Sequence, residues 1–361
     1  MKKRSVPVIM FLLAALSCTR NAKTFNRDEE INRIVKLPNL GTGRSYKSSP
    51  ALCVWRDNKK AACTIGFDDV RASHYQLAAP LLKARQMRGT FYLNTKAVFR
   101  WSDWNALSRD GNEIASHTWS HPKCTEISEA SLRNELERAK RDILRNIVGQ
   151  TDVPSFSYPY GMYNDNVRKV VLEYHQSARG ASGINPSSFD DVDFSLIKGI
   201  GARPQYDPPY IAELLTRTIH DGGWILYYFH SISTDGKMDQ NTLPLDLFTR
   251  QLDEVDSLRD ELWIATQKQV VEYIRLRQNA RLISSVIDSS VIEISMKNDY
   301  FNHLTENSVD FQINLPEYWS GNIIVVTSDI DNHSQIHPFS DKIIVSIRNS
   351  ETVSITCKGK I

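Results

Sequence analysis

Short apolar segments of strand type alternate with amphipathic helical segments along most of this chain, and this alternation limits the folds open to it. Residues 61–67 and 90–93 are apolar runs of strand length, and residues 74–88 between them carry apolar side chains at helical spacing before Gly89. Residues 129–148 repeat the helical pattern with one apolar face. Strands and helices in alternation predict an α/β fold built on a parallel sheet, open or closed into a barrel.

The last part of the chain has a different pattern. Beyond about Ala280, β-rich runs such as residues 286–296 and 342–356 are separated by turn residues, and no run has the length and spacing of a substantial helix. This pattern predicts a small all-β, sandwich-like module. We therefore place an α/β domain at residues 49–281 and a β-rich module at residues 282–361.

The N-terminus has the pattern of a bacterial export signal. Three basic residues precede an apolar run at residues 6–16, which is too short to span a bilayer comfortably. Small residues and Cys18 follow, as in a lipoprotein signal, but Ala15 stands where a larger aliphatic residue is usual, so cleavage by an ordinary signal peptidase stays open. We predict that residues 1–18 are a signal peptide whose Cys18 is lipidated and that the polar residues 19–48 are a tether.

These features predict a location and exclude some partners. We expect an exported protein, in the periplasm or on the outer membrane, that is attached to the membrane only by the lipid on Cys18. A formal net charge of +2 predicts no nucleic-acid partner. The other cysteines match no zinc-binding spacing, and we expect small buried thiols rather than disulfides. Cys53 and Cys63 flank a predicted hairpin turn at residues 57–60, which would bring them close together.

Polar clusters follow four of the predicted strands at their C-terminal ends. They are Asp68-Asp69, residues 117–121, Pro159-Tyr160-Gly161 and His230. The C-terminal ends of parallel strands form one edge of a sheet, where the active sites of α/β folds are built. Four clusters at the same edge therefore indicate an active site more strongly than any one of them does.

The residue types in these clusters suit metal-assisted hydrolysis. Adjacent carboxylates at a strand end point in different directions, so Asp68 and Asp69 can divide the roles of metal ligand and base, although an isolated pair is more often a capped turn. His117 and His121 are four residues apart, which on a helical turn places both imidazoles on one face and suits a first-row metal, although most such pairs are exposed and idle. A histidine such as His230 is by itself more often structural, but beside a metal it becomes a general acid for a leaving amine.

Together the clusters resemble the motifs of the NodB-type polysaccharide deacetylases, carbohydrate esterase family 4. The similar residues are, in order, Gly66-Phe67-Asp68-Asp69, His117-Thr118-Trp119-Ser120-His121, Phe156-Ser157-Tyr158-Pro159-Tyr160-Gly161 and the strand that leads into His230. The resemblance covers roughly residues 61–277 and implies a distorted (β/α) barrel that binds a divalent metal: zinc, or else cobalt or nickel.

The resemblance also implies a role for each site residue. Asp69, His117 and His121 would bind the metal. Asp68 would be the catalytic base, and His230 the acid. The backbone amide of Tyr160, which follows Pro159, would help to hold the oxyanion.

The chain departs from the family pattern around this site. Ser157 stands where the family often has an arginine that tunes the base, and Arg179 is a candidate replacement. Tyr227 replaces a leucine three residues before the acid, and Val70 replaces a glycine after the aspartates. The acidic residues 190, 191 and 193 lack the tryptophan of the family's Asp-x-x-Asp-Trp motif. The predicted ligands are thus complete while their surroundings vary.

The favoured functional hypothesis is a metal-dependent hydrolase that removes acetyl groups from an N- or O-acetylated polysaccharide. Two alternatives stay open: a glycan-binding protein on a catalytically altered deacetylase scaffold, and a hydrolase of another amide or ester. The variant surroundings favour the binding protein, whereas the complete ligand set argues against it. Peptidoglycan, chitin-type oligomers, an exopolysaccharide and an acetylated plant polymer all fit as the glycan partner.

Several aromatic residues near the motifs can stack on sugars or simply pack in the core; they are Trp101, Trp104, Trp119, Tyr158 and Tyr160.

Overall fold

A computed structural model describes residues 49–186, 191–235, 241–288, 290–298, 308–315, 323–329, 336–338, 342–348 and 350–358. Its strands are β1 (Ala51–Leu52), β2 (Ala61–Asp68), β3 (Gly89–Leu93), β4 (Glu113–Ser116), β5 (Ser155–Ser157), β6 (Ser177–Ser182), β7 (Ile197–Gly201), β8 (Trp224–Phe229), β9 (Ser231–Ser233), β10 (Thr242–Pro244), β11 (Leu262–Ile264), β12 (Ala280–Asp288), β13 (Val291–Asn298), β14 (Ser308–Asn314), β15 (Ile323–Ser328), β16 (Ile336–Pro338), β17 (Lys342–Arg348) and β18 (Thr352–Lys358). Its α-helices are α1 (Ala79–Ala84), α2 (Trp101–Arg109), α3 (Glu129–Asn146), α4 (Asp165–Tyr174), α5 (Pro208–Asp221), α6 (Leu245–Ser257) and α7 (Gln267–Asn279). The predicted signal peptide and tether, residues 1–18 and 19–48, lie outside the described residues.

A closed barrel of parallel strands forms the centre of the described structure. Strands β2 to β8 pair in chain order, and β8 returns to pair with β2, so that seven strands close the ring. Strand β11 pairs with the first half of β2, at Ala61 to Cys63, while β3 pairs with its second half, at Ile65 to Asp68. This shared edge makes the barrel irregular. The predicted distorted (β/α) barrel is confirmed.

The alternation of side chains along β2 explains why the site faces the inside of the barrel. Cys63, Ile65 and Phe67 are buried in the apolar layer between the strands and the helices. The residues between them have the opposite direction because successive side chains of a strand point to opposite faces. Accordingly, the Thr64 hydroxyl accepts a hydrogen bond of 3.0 Å from the Trp224 indole of the neighbouring strand β8. By the same period, Asp68 points inward at the C-terminal end of β2.

Both helical segments predicted from the sequence contain a helix, with different boundaries. Helix α3 occupies most of the predicted segment, and its apolar residues Leu132, Leu136 and Ile143 are buried. Helix α7 begins after the N-cap Thr266, whose side chain accepts a hydrogen bond from the Gln269 amide in a capping box. The segment at residues 74–88 begins instead with a π-helical turn, residues 74–78, before α1.

The C-terminal strands form two antiparallel sheets with the orders β1-β14-β17-β16 and β12-β13-β18-β15. Their apolar side chains, among them Ile294, Phe311 and Ile355, share one buried core. Tyr273 of α7 belongs to the same core, so the sheets pack directly against the barrel. The predicted boundary at residue 281 falls inside β12.

The predicted hairpin between Cys53 and Cys63 is wrong. Strand β1 pairs with β14 in the C-terminal sheet and not with β2. Arg56 follows β1 and makes an ion pair of 3.2 Å with the buried Asp310, which fixes this connection. The four cysteines of the described residues are buried and free, as predicted. None of the helices in the described ranges is long and apolar enough to cross a membrane.

Candidate metal and active site

The two aspartates at the end of β2 point to different partners. Asp68 is the last residue of the strand and is buried. Asp69 follows with a left-handed backbone, φ 72°, an uncommon conformation for a residue with a side chain. This turn separates the two carboxylates, which the sequence predicted to take separate roles.

Asp69, His117 and His121 converge on one point. The Nε2 atoms of the two histidines are 3.1 Å apart, and Oδ1 of Asp69 lies 3.5 Å from His121 Nε2 and 4.0 Å from His117 Nε2. Donor atoms of these residues all lie within 4.8 Å of one another. Four ligands bound to zinc at about 2.0–2.1 Å in a tetrahedron are roughly 3.3 Å apart. The spacing of these three donors therefore fits a first-row divalent metal.

The protonation of His117 also fits metal binding. Its Nδ1 donates a hydrogen bond of 2.7 Å to the backbone carbonyl of Ser157, which leaves the lone pair on Nε2 facing His121 and Asp69. Burial lowers the pKa of His117 to about 4, so the ring is neutral at physiological pH. A neutral imidazole held by a carbonyl at its second nitrogen is the usual form of a metal-binding histidine.

The two histidines meet through a loop and not through the helical turn that their spacing predicted. Residues 117–121 are not helical, and both Thr118 and His121 have positive φ, of 67° and 64°. The loop is held by hydrogen bonds: the His121 amide donates to the Thr118 hydroxyl at 3.0 Å, and Glu135 of α3 accepts from the Ser120 amide at 2.7 Å. The helical-turn prediction was wrong because hydrogen bonds to the Thr118 hydroxyl and to Glu135 hold the segment in a loop.

Asp68 is paired with Arg179, which extends inward from β6. The Nη2 atom of Arg179 donates to both carboxylate oxygens of Asp68, at 2.6 Å to Oδ1, and to the hydroxyl of Ser157. Burial acts to raise the pKa of Asp68, but the Arg179 guanidinium and the neighbouring histidines lower it to about 2. Asp68 is consequently ionised at neutral pH.

The register of the barrel explains how Arg179 occupies this position. Ser157 on β5 and Arg179 on β6 are paired directly across the two parallel strands. The guanidinium carbon lies 3.8 Å from the centre of the Tyr228 ring. Gly199 on β7 leaves room for the side chain, since a Cβ atom there would lie 2.7 Å from Arg179 Cδ. The guanidinium absent from position 157 is thus supplied by the next strand.

His230 and Tyr160 complete the mouth of the barrel. His230 follows β8, with its Nε2 3.9 Å from Asp68 Oδ2 and its side chain 26% exposed. Pro159 is buried, whereas Tyr160 has φ 59° and is 63% exposed. The Tyr160 ring meets the His121 ring edge to face, with centroids 4.6 Å apart. All the site residues predicted from the sequence are therefore brought to one end of the barrel.

The other aromatic residues near the motifs have different environments. Trp104 and Tyr158 are buried and pack in the core. Two cations lie over the Trp119 ring, with the Arg138 guanidinium carbon 3.3 Å and Lys96 Nζ 4.7 Å from its centre. The Tyr160 ring, 63% exposed at the mouth, is open to contact with a ligand.

One residue at the site was not anticipated. His74 lies in the π-helical turn after β2, and its Nε2 is hydrogen-bonded to the backbone carbonyl of His230. The sequence assigned His74 to a helix because apolar residues follow it at helical spacing. Nothing in that spacing shows that its ring reaches the end of β8.

Parts of this chain are similar to known proteins. Residues 56–177 match the family model described as polysaccharide deacetylase. A gellan lyase from a Bacillus species is 22% identical over 323 residues, which covers 80% of this chain and 13% of that protein. Chitin deacetylase 2 from Cryptococcus neoformans var. grubii is 27% identical over 157 residues, which covers 36% of this chain and 32% of that protein. This chain thus spans a minor part of the length of either relative.

Solved structures of similar chains include carbohydrate esterases. The Xyl-CE4 domain of a multidomain xylanase from the hindgut metagenome of Trinervitermes trinervoides has 18% identity and a TM-score of 0.41, covering 59% of this chain and 90% of that domain. A family 4 carbohydrate esterase from Streptomyces lividans has 19% identity and a TM-score of 0.40, covering 56% of this chain and 91% of that chain. The match to the family model supports a polysaccharide deacetylase domain in this protein.

Proposed function

We propose that this protein is a metal-dependent deacetylase that removes acetyl groups from an N- or O-acetylated polysaccharide. The observation that carries the proposal is the convergence of Asp69, His117 and His121 beside a separate, ionised carboxylate, Asp68, at the mouth of the barrel. Three metal ligands with a base alongside them are the components of a hydrolytic metal site.

Asp69, His117 and His121 would hold a zinc ion, with cobalt or nickel as substitutes. When bound, the cation would polarise the acetyl carbonyl and lower the pKa of a water molecule, which suits a base as weak as Asp68. The Ser157 carbonyl keeps His117 in the required tautomer.

Asp68 would accept the proton of the attacking water. Its carboxylate is kept ionised and fixed in orientation by Arg179, so no rearrangement is needed before the proton is transferred. The Arg179 contact also weakens the alternative of an inactive scaffold, because the guanidinium lost from position 157 is present at the same carboxylate.

His230 would give a proton to the departing amine or alkoxide. It follows β8, with its Nε2 3.9 Å from Asp68 Oδ2, and is partly exposed to an entering substrate. The backbone amide of Tyr160 would stabilise the oxyanion, and the exposed Tyr160 ring offers a face to a sugar.

The N-terminal pattern supports a location for this activity. We propose export, with a lipid on Cys18 and residence in the periplasm or on the outer membrane, which would place the enzyme among extracytoplasmic glycans.

Acetate release tests the proposed function directly. The purified protein, lacking residues 1–18, is stripped of metal and then assayed with and without zinc on chitin-type oligomers, peptidoglycan, acetylated plant polymers and gellan. We expect zinc-dependent acetate release that Asp68→Asn abolishes and that Asp246→Asn, an exposed aspartate on α6, leaves unchanged.

Other outcomes point to the alternatives. An unsaturated sugar product without acetate indicates lyase chemistry. Zinc binding without any release from glycans, together with hydrolysis of other amides or esters, indicates a different substrate class. Tight glycan binding without any turnover indicates a binding protein.

A further inference from the structure

We infer that His74 and Ser73 are positioning residues that hold the acid His230 in its catalytic place. The inference deepens the proposed function and rests on the role of His230 within it. Two hydrogen bonds carry it: His74 Nε2–H donates to the backbone carbonyl of His230, and the backbone amide of Ile232 donates to the Ser73 hydroxyl at 3.2 Å.

These two bonds connect the two halves of the catalytic machinery. Ser73 and His74 follow Asp69 after a short loop, whereas His230 follows β8 and Ile232 lies in β9, more than 150 residues later in the chain. The bonds join the loop after the metal ligand and base to the segment that carries the acid.

The π-helical turn at residues 74–78 presents His74 to this carbonyl. A π-turn inserts an extra residue into a helix, and such turns occur frequently at functional sites. Here it directs the imidazole into the apolar layer between the strands and the helices, where its ring centre lies 5.3 Å from that of Phe67 and 6.3 Å from that of Trp104.

Apolar packing alone does not explain a histidine at this position. The ring is fully buried among aromatic side chains, and its Nδ1 has no hydrogen-bond partner among the described residues. Burial lowers the pKa of His74 to about 4, so the ring is neutral and can donate from Nε2. A phenylalanine would fill the same space without a buried unpaired nitrogen. What the histidine adds is the hydrogen bond to His230.

The His230 side chain depends on its backbone for orientation. Its Nε2 is 3.9 Å from Asp68 Oδ2, which is too far for a hydrogen bond. The direction of the imidazole is therefore set by the backbone from which it projects. Misplacing a catalytic group by about 1 Å can reduce the rate by about 10²-fold.

The test compares His74→Phe, which keeps the packing, with His74→Gln, which keeps a donor at similar reach. On an N-acetylated glycan we expect His74→Phe to lower kcat by about 10²-fold with KM nearly unchanged, and His74→Gln to restore most of it. Ser73→Ala should give a smaller loss in the same direction. His175→Phe is the matched control, because His175 is also buried and donates to a backbone carbonyl, that of Val153, at 2.7 Å.

A second substrate separates positioning from general damage. An aryl acetate has a leaving group that needs no protonation, so a misplaced acid affects it little. We expect His74→Phe to retain nearly wild-type, zinc-dependent hydrolysis of the aryl acetate while losing the amide reaction. Equal losses on both substrates, or no loss on either, would overturn the inference.

A measurement without turnover keeps the inference distinct from the proposed function. In protein labelled with ¹⁵N-histidine, we expect a slowly exchanging ring N–H signal from His74 that disappears in His74→Phe, with a shift of the His230 signals and unchanged zinc binding. If the wild type releases no acetate from any glycan, the proposed function fails while this spectrum still tests the contact. Unmoved His230 signals would refute it.

Discussion

Moving the arginine from β6 to β5 tests why Asp68 remains ionised inside the barrel. Asp68 and Arg179 have side chains only 4% and 3% exposed, so each charge depends on the other. Removing one partner of such a buried pair typically costs about 3–5 kcal/mol. We expect Arg179→Ser to lower the free energy of unfolding by that amount and to abolish acetate release.

The paired register of Ser157 and Arg179 predicts a rescue. In the double variant Ser157→Arg, Arg179→Ser, the guanidinium projects from β5 instead of β6 at the same level of the barrel. It can therefore reach the same carboxylate, that of Asp68. We expect the double variant to recover most of the lost stability and measurable activity, although Ser157→Arg alone destabilises by crowding two guanidinium groups.

Urea unfolding followed by tryptophan fluorescence, with and without zinc, measures these differences. Arg133→Ser is the control, because the ion pairs of Arg133 with Glu129 and Glu173 are solvent-exposed and its loss should barely change the urea midpoint. The reasoning is refuted if Arg179→Ser is as stable as the wild type. It is also refuted if the loss of unfolding free energy in the double variant Ser157→Arg, Arg179→Ser is as large as the sum of the losses in the two single variants.

Three further predictions follow from individual contacts. Gly199→Ala places a Cβ atom 2.7 Å from Arg179 Cδ, so we expect a loss of about 1–3 kcal/mol and reduced acetate release, measured by thermal unfolding and assay. Burial lowers the pKa of His175 to about 4 in the folded protein. As the pH falls below about 6.5, His175 is therefore protonated in the unfolded chain while it stays neutral in the folded protein. Stability should therefore drop by about 2 kcal/mol from this group between pH 7 and 4.5, a drop missing from the pH profile of His175→Phe. Asp310→Ala removes the acceptor for Arg56 and for the Ser346 hydroxyl at 2.6 Å, and we expect it to expose the C-terminal sheets to limited proteolysis; an unchanged digestion pattern would contradict this.

Much of the barrel and the place of the site could be predicted from the sequence. Apolar strands alternate with helices, and the polar residues Asp68, His117 and His230 each follow such a strand, so their meeting at one edge follows from parallel pairing. The period of two along β2 also explains why Asp68 faces inward.

Contacts across the barrel could not be predicted in the same way. The contact between Arg179 and Asp68 depends on the register of β5 and β6 and on the space beside Gly199, and neither is written in local patterns. The bond from His74 to the His230 carbonyl depends on a π-helical turn that resembles an ordinary helix in sequence.

Local hydrogen bonding and long-range pairing explain the two wrong predictions. The loop at residues 117–121 adopts positive φ at Thr118 and His121, where the spacing suggested a helical turn. Strand β1 was assigned to a hairpin because its true partner, β14, is more than 250 residues away. Short-range patterns do not show either effect.

The central claim is that a single divalent ion, bound by Asp69, His117 and His121, supports deacetylation at this site. The most direct measurement is the rate of acetate release from an acetylated glycan, plotted against the zinc bound per chain in metal-stripped protein. The account predicts a rate that rises in proportion to bound zinc and levels off at a single ion, with neither binding nor release in the double variant Asp69→Asn, His121→Ala. Acetate release from the metal-free protein, or none at full zinc occupancy on any acetylated glycan, would contradict it.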